Sequence, residues 1–460
     1  MKENNYLFEK ESILKAIAKL SIPAIIAMLV IIIYNVADTF FVGQTGNEFQ
    51  VAAVSLTTPV YLIFMAIGTL IGVGGTSLIS RCLGEGKKEK AKHVSSFCFY
   101  GGIVIGIIIM ILMWVFMESI LKFIGTSSET IDFSRSYLNI IAISGPFSII
   151  SIGLSYIIRS EGNAKEAMFG TILGCLVNIV LDPFMILSLD MGVNGAAIAT
   201  LIGNIASVLY YVIYFYKKNS ILSIEFKYFK VSDGILIGVF AIGIPAFLGE
   251  LMMSLSNIVY NNVIAEYGDA AVAALGIAIK ISLIIVLLQM GLGQGIQPLL
   301  GYNYGAKNFK RVSETIKWSV IIVVIMGSIL TLFIWVFALD IVKMFIDNES
   351  VYRYGVQILR AMMISGPVMG IMFIFQNAIQ AMGKAFPALI LSITRQGLVF
   401  IPMIFILNEA FGFRGVIYAQ SVTDFIADIL AFTIYFVTLK GVIKSYKEEA
   451  EIVNVDLNFK

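Results

Sequence analysis

Long apolar runs separated by short polar breaks make up most of this 460-residue chain, and they restrict what it can fold into more than any other feature. An α-helix rises about 1.5 Å per residue, so roughly 20 apolar residues cross the hydrocarbon layer of a bilayer. Backbone groups in that layer must be satisfied within the segment, which makes each run a helix. Twelve runs meet the length criterion, at about 13–41, 51–80, 93–117, 133–157, 166–189, 192–216, 235–264, 271–300, 313–339, 355–380, 386–407 and 414–438. Hydrophobic residues make up 58% of the chain and charged residues 13%, against about 25% charged in a soluble protein. The expectation is an all-α integral membrane protein with twelve transmembrane helices.

The polar breaks report topology. Arg81 to Lys92, Lys217 to Lys230 and Lys307 to Lys317 are rich in Lys and Arg, whereas 42–50, 190–194 and 265–270 contain neither. The acidic residues Glu118, Glu129, Asp132, Asp340, Asp347 and Glu349 mark loops on the opposite side. Basic loops stay in the cytoplasm, which predicts a multi-pass plasma-membrane protein with both termini cytoplasmic. The first run is full length and carries no small-residue cleavage site, so it reads as an uncleaved span. A net charge of +2 gives no sign of nucleic-acid binding. Cys82, Cys98 and Cys175 are odd in number and scattered, which excludes a fully paired disulfide framework and offers no metal-ligand spacing.

The chain also repeats itself at an offset of about 220 residues. Ser21 to Pro23 (SIP) recurs as Gly243 to Pro245 (GIP), and SGP at Ser144 to Pro146 recurs as SGP at Ser365 to Pro367. Gly86 matches Gly305, Gly162 matches Gly383, and MGVNGAAIA from Met191 matches FGFRGVIYA from Phe411. Each half therefore holds six spans. An even number gives both halves one orientation, so the two six-helix lobes should be related by a pseudo-two-fold along the membrane normal, with a cleft between them. The resulting division is a tail 1–12, a first lobe 13–216, a linker 217–234, a second lobe 235–438 and a tail 439–460. Two similar lobes that rock about a shared cleft suit transport.

An ionisable side chain near the bilayer centre costs on the order of 2.5 to 3.5 kcal/mol, which makes each one a functional candidate. The candidates are Asp38, Asp182, Glu250, Lys280, Arg395, Asp424 and Asp428. Asp182 falls roughly 10 Å below the outer surface, counted from the end of its span, and Thr200 on the returning span reaches a similar depth. Asn178 precedes Asp182 by one turn and shares its face. Asp38 also lies in the outer half of its span. Two carboxylates, an amide and a hydroxyl at one level supply the oxygen ligands that Na⁺ or a proton requires. Helix capping or cross-linking is the alternative for this pair. Pro183 lacks an N–H and should kink the helix beside the site.

The remaining candidates divide between cleft and scaffold. Glu250 faces a polar cavity or pairs with Lys280; Arg395 positions helices; and Asp424 and Asp428, at i, i+4, face a wet cavity or a partner such as Arg395. Tyr137 sits at the outer start of its span, where aromatic residues commonly anchor. His93, the only histidine, begins a span beside a basic loop and reads as interfacial structure. GVGGTSL at Gly72 to Leu78 lies within a span and reads as close helix packing. No GxxxxGK[ST], HExxH, GxSxG or CxxC pattern occurs, so neither an ATP-driven pump nor an enzyme is expected.

Several stretches in order resemble the multidrug and toxic compound extrusion (MATE) family over residues 13 to 438: YNVADTFFVG from Tyr34, GGTSLISRCLGEGKKEKA from Gly74, RSEGNAK from Arg159, GQGIQPLLGYNYGAKNFKR from Gly293 and RQGLVFIP from Arg395. The pattern is similar to the bacterial MepA-like branch. The resemblance implies export of organic, often cationic, drugs or metabolites by a monomer in contact with membrane lipids, driven by inward Na⁺ or H⁺ flow with no cofactor. It places a first-lobe cation site on Asp38, Asn178, Asp182 and Thr200, with Tyr137 bordering it. Some relatives carry a second site on acidic residues of the seventh and tenth spans. Glu250 matches the first of these, but the tenth span here offers Gln376, Asn377 and Gln380 instead of a carboxylate. The alternative is a flippase for lipid-linked sugars, which usually needs a cationic cleft. Against that, mid-span basic residues are few here.

Overall fold

The computed structural model describes residues 2–217, 220–346 and 348–458; Asp347 of the acidic loop and Lys218 of the linker lie outside the described residues. Eleven helices among these are long and apolar enough to cross a membrane. They are span 1 (Ile13–Gly43), span 2 (Glu48–Gly84), span 3 (Lys88–Val115), span 4 (Ile131–Ser160), span 5 (Ala164–Ser188) and span 6 (Gly192–Tyr216) in the first lobe. The second lobe holds span 7 (Ile235–Ala265), span 8 (Asp269–Gly305), span 9 (Phe309–Val336), span 11 (Ala385–Phe411) and span 12 (Phe413–Val442).

Span 10 departs from the continuous helix expected at 355–380. It comes as two pieces, Glu349–Met363 and Met369–Ala381, with turns between them at Ser365, Gly366 and Pro367. Proline cannot donate to the helical ladder and disfavours helical backbone in the residue before it. Yet the equivalent Ser144, Gly145 and Pro146 lie inside one unbroken helix. The difference is in what receives the freed groups. Gln289 of span 8 donates to the Gly366 carbonyl at 2.9 Å, and two aspartates of span 12 serve the other side of the break.

The lobes meet backbone to backbone at the end that carries the basic loops. A Cβ on Gly74 would lie 2.1 Å from the Val239 carbonyl oxygen, one on Gly84 2.0 Å from that of Tyr302, and one on Gly305 2.3 Å from that of Arg81. Glycine is required at such approaches because any side chain would force the helices apart. Polar contacts reinforce the seam: Ser21 Oγ donates to the Leu292 carbonyl at 3.3 Å, Ser77 to the Gln380 carbonyl, and Arg159 Nη1 to Gln294 Oε1 at 3.1 Å. A single buried apolar core accordingly runs through the first lobe and across the seam, while the far half of the second lobe has its own, around Tyr260, Ile281 and Ile358.

Two further segments lie across this end. A short helix, Lys2–Glu9, docks on the second lobe: Phe8 stacks on Tyr302 at 4.8 Å, and Arg311 donates to the carbonyls of Leu7, Phe8 and Glu11. The linker is held against the first lobe by the buried Glu161, which accepts from the Tyr214 hydroxyl at 2.6 Å, the Ser220 hydroxyl at 2.9 Å and the Ile221 N–H at 2.8 Å. His93 Nδ1 lies 2.7 Å from the Tyr228 carbonyl oxygen, which only accepts, so the proton is on Nδ1.

Candidate functional site

Spans 5 and 6 approach closely enough to bring their polar faces together. A Cβ on Gly203 would lie 2.7 Å from the Gly174 carbonyl oxygen, and one on Gly174 2.0 Å from Ser207 Oγ. One turn further along, Asn178 Nδ2 donates to Thr200 Oγ1 at 3.3 Å. Asp182, the next residue on that face of span 5, is fully buried. The helix beyond it widens into a π-helical turn over Pro183–Ser188, because Pro183 cannot supply the N–H that a tight helix would use there.

Span 1 closes the site from the other side. Asp38 is the charged group acting on Asp182, and Tyr137 lies within electrostatic range of both. Tyr34, one turn before Asp38, reaches the Thr200 hydroxyl. Asp38, Asn178, Asp182, Thr200 and Tyr137 therefore share one region of the first lobe.

The hydrogen-bond inventory of this region is incomplete. Both carboxylate oxygens of Asp182, Oδ1 of Asp38 and Oδ1 of Asn178 are buried without a donor among the described residues. Buried carboxylates normally take donors or a cation, since an unpaired anion in apolar surroundings is strongly disfavoured. Among the described residues neither aspartate forms an ion pair with a Lys or Arg, so helix cross-linking there does not use up their charge. Oxygens of this kind, left without donors, are chemically suited to a small cation.

A second polar layer lies beneath it. Asn204, one turn after Thr200, donates to Ser144 Oγ at 3.1 Å and Ser148 Oγ at 2.8 Å. Tyr61 of span 2 joins this layer beside Asn204 and Ser148. Sequence reasoning missed Tyr34, Tyr61 and Asn204. The signal for Tyr34 and Asn204 was their i, i+4 spacing to Asp38 and Thr200; nothing local marked Tyr61.

The second-lobe candidates separate. Arg395 and Asp424 form a buried ion pair, Nε to Oδ1 at 2.8 Å. Glu250 and Lys280 do not pair among the described residues; Lys280 is exposed, and Glu250 acts on Tyr156 instead. That removes the proposed Glu250–Lys280 link, because the two side chains point to different surroundings. Gln376 donates to Ser392 Oγ at 3.1 Å and so ties spans 10 and 11, whereas Asn377 donates back to the Phe373 carbonyl of its own helix at 2.8 Å.

Comparison with known proteins places this geometry. The model of the MatE family matches residues 23–184 and again 245–406, one match in each lobe. The Multidrug export protein MepA of Staphylococcus saprophyticus is 32% identical over 434 residues, covering 94% of this chain and 96% of that protein. A Staphylococcus aureus MepA is 35% identical over 439 residues, with the same coverage of 94% and 96%. Among solved structures, a MATE in complex with MaL6 superposes with a TM-score of 0.92 at 26% identity, covering 96% of this chain and 100% of that one. An outward-facing multidrug resistance MATE family transporter of the MOP superfamily gives 0.91 at 26% identity, covering 96% and 99%.

Proposed function

Because this chain belongs to the MATE family, we propose that it is a secondary active multidrug exporter that couples efflux of organic, often cationic, compounds to inward flow of Na⁺ or H⁺. One observation carries the coupling half of this reading: Asp38 and Asp182 share one region with Asn178 and Thr200, hold buried oxygens without donors, and form no ion pair among the described residues. A cation entering this region would meet oxygens that lack donors. Its departure would leave two nearby carboxylates whose repulsion favours rearrangement of span 1 against span 5.

Alternating access supplies the transport half. The close seam at Gly74, Gly84 and Gly305 supports closure at the end with the basic loops, which the positive-inside rule assigns to the cytoplasm. Drug would then leave from the opposite side while the first-lobe site exchanges its cation with the exterior. The protein acts in the plasma membrane as a monomer, with both termini cytoplasmic. A flippase for lipid-linked sugars would need a cationic cleft, but the Arg395 charge is taken up by Asp424 and Lys280 is exposed.

Ethidium efflux from membrane vesicles under separately imposed Na⁺ and H⁺ gradients tests this. Efflux should follow at least one gradient; efflux that follows neither contradicts antiport.

A further inference from the structure

The two lobes build the same junction with different charge. In the first lobe Asn204 of span 6 binds Ser144 and Ser148 of span 4 with neutral groups only. At an offset of 220, Asn204 corresponds to Asp424, Val208 to Asp428 and Cys175 to Arg395, while the SGP tripeptide, one residue out of that register, pairs Ser144 with Ser365. In the second lobe Ser365 Oγ donates to Asp424 Oδ2 at 2.6 Å, Gln420 Nε2 donates to Asp424 Oδ1 at 2.9 Å, and Arg395 Nε donates to the same oxygen at 2.8 Å. One turn on, Asp428 Oδ1 accepts from the Met372 N–H at 3.0 Å. The two aspartates thus hold both edges of the break in span 10.

The first lobe demonstrates that such a junction packs without any charge. The second lobe nevertheless carries three ionisable groups here, and they do not balance. Arg395 contributes one positive charge, already engaged by Asp424, and Asp428 adds an uncompensated negative one. Asp424 and Arg395 are the charged groups that act on Asp428 among the described residues. Span 7 brings Glu250, which acts on Tyr156, and the second half of span 10 brings only the Met372 N–H. Asp428 is 9% exposed, and its second oxygen, Oδ2, is enclosed without a hydrogen-bond donor. A single free oxygen is too few ligands for a sodium ion, which is held by several, but it suffices for one proton.

We propose that Asp428 is a proton-binding carboxyl of the second lobe, distinct from the first-lobe aspartates, taking up one proton at Oδ2 and releasing it as the break in span 10 rearranges. The inference rests on the reading of the chain as a cation-coupled exporter and names a second place where that coupling occurs. Protonation leaves the Met372 N–H bond intact and restores neutrality to the Arg395–Asp424–Asp428 group. Loss of the proton places an anion one turn from Asp424, where it competes for Arg395 and loosens the hold of Asp424 on Ser365.

The test counts protons. The purified full-length protein, in weak buffer with a pH indicator, is titrated with ethidium in choline salt and again in sodium salt. The parent should release protons on binding, and Asp428→Asn should release about one fewer, because its amide keeps the acceptor for Met372 and cannot titrate. Asp182→Asn should remove a separate share, and the double variant should show both losses. Equal release by the parent and a folded D428N overturns the proposal. So does a loss that appears only when sodium replaces choline, which would mean a metal cation occupies the site. Loss in D428N alone, with D182N unchanged, sustains this proposal and removes the proton from the first-lobe site; loss in D182N alone spares the first-lobe reading and sinks this one. If D428N fails to melt cooperatively, infrared spectra of the parent decide the matter: a protonated-carboxyl band that survives in D182N and responds to ethidium supports the proposal, and its absence overturns it.

Discussion

Arg395 reaches Asp424 through Nε at 2.8 Å across spans 11 and 12, with both side chains almost fully enclosed. Removing one partner of such a pair leaves an uncompensated buried charge. Arg395→Met should therefore cost roughly 3 to 5 kcal/mol, and adding Asp424→Asn should recover a substantial part of it. Thermal unfolding of the purified single and double variants measures the coupling. Additive losses would mean that the pair does not interact energetically.

Asp182→Asn keeps the shape of the first-lobe site and removes its charge. Ethidium efflux should be abolished while membrane expression stays at the parental level. Resistance that survives the change would remove Asp182 from the coupling role. Thr200→Ala, which takes away one hydroxyl and strands the Asn178 amide, should weaken efflux less severely.

Glu161 collects three donors from span 6 and the linker. Glu161→Ala would leave the Tyr214 hydroxyl and the Ile221 N–H unsatisfied, at about 1 to 3 kcal/mol for each group that remains buried. The linker should then detach before the lobes unfold. Trypsin cleavage at Lys227 and Lys230 should accelerate in the variant and remain slow in Tyr214→Phe, which leaves Glu161 its two donors from the linker.

Gly84→Ala would press a methyl carbon to within 2.0 Å of the Tyr302 carbonyl oxygen. The seam should open or shift, and spin-label distances across the basic-loop ends of spans 2 and 8 should lengthen. Gly276→Ala, which meets nothing within 4 Å, is the matched control and should leave those distances unchanged.

Much of this architecture was legible from spacing alone. Length and apolarity locate the spans, and the offset between Ser144 and Ser365 reveals the duplication. Depth counting brings Asp182 and Thr200 to one level because helical rise is nearly invariant. The break in span 10 was not legible. The same tripeptide SGP sits in span 4 and in span 10, and only the second is interrupted. What separates them is the presence of Gln289, Asp424 and Asp428, residues far away in sequence that receive the freed backbone and hydroxyl groups. Glu161 was hidden for a related reason: its letters fall in a polar turn, and nothing local tells that the side chain folds back under the linker.

The glycines of the seam have a mechanical consequence. Where Gly74, Gly84 and Gly305 lie against opposing carbonyls, no knob is threaded into a hole. At these three points the helices can part without a rotamer having to escape a socket, so the side chains that must move are the few polar and apolar ones between them. A surface of that kind behaves as a zip fastener with shallow teeth: firm enough to exclude water when shut, yet able to cycle repeatedly without wearing its partner's packing.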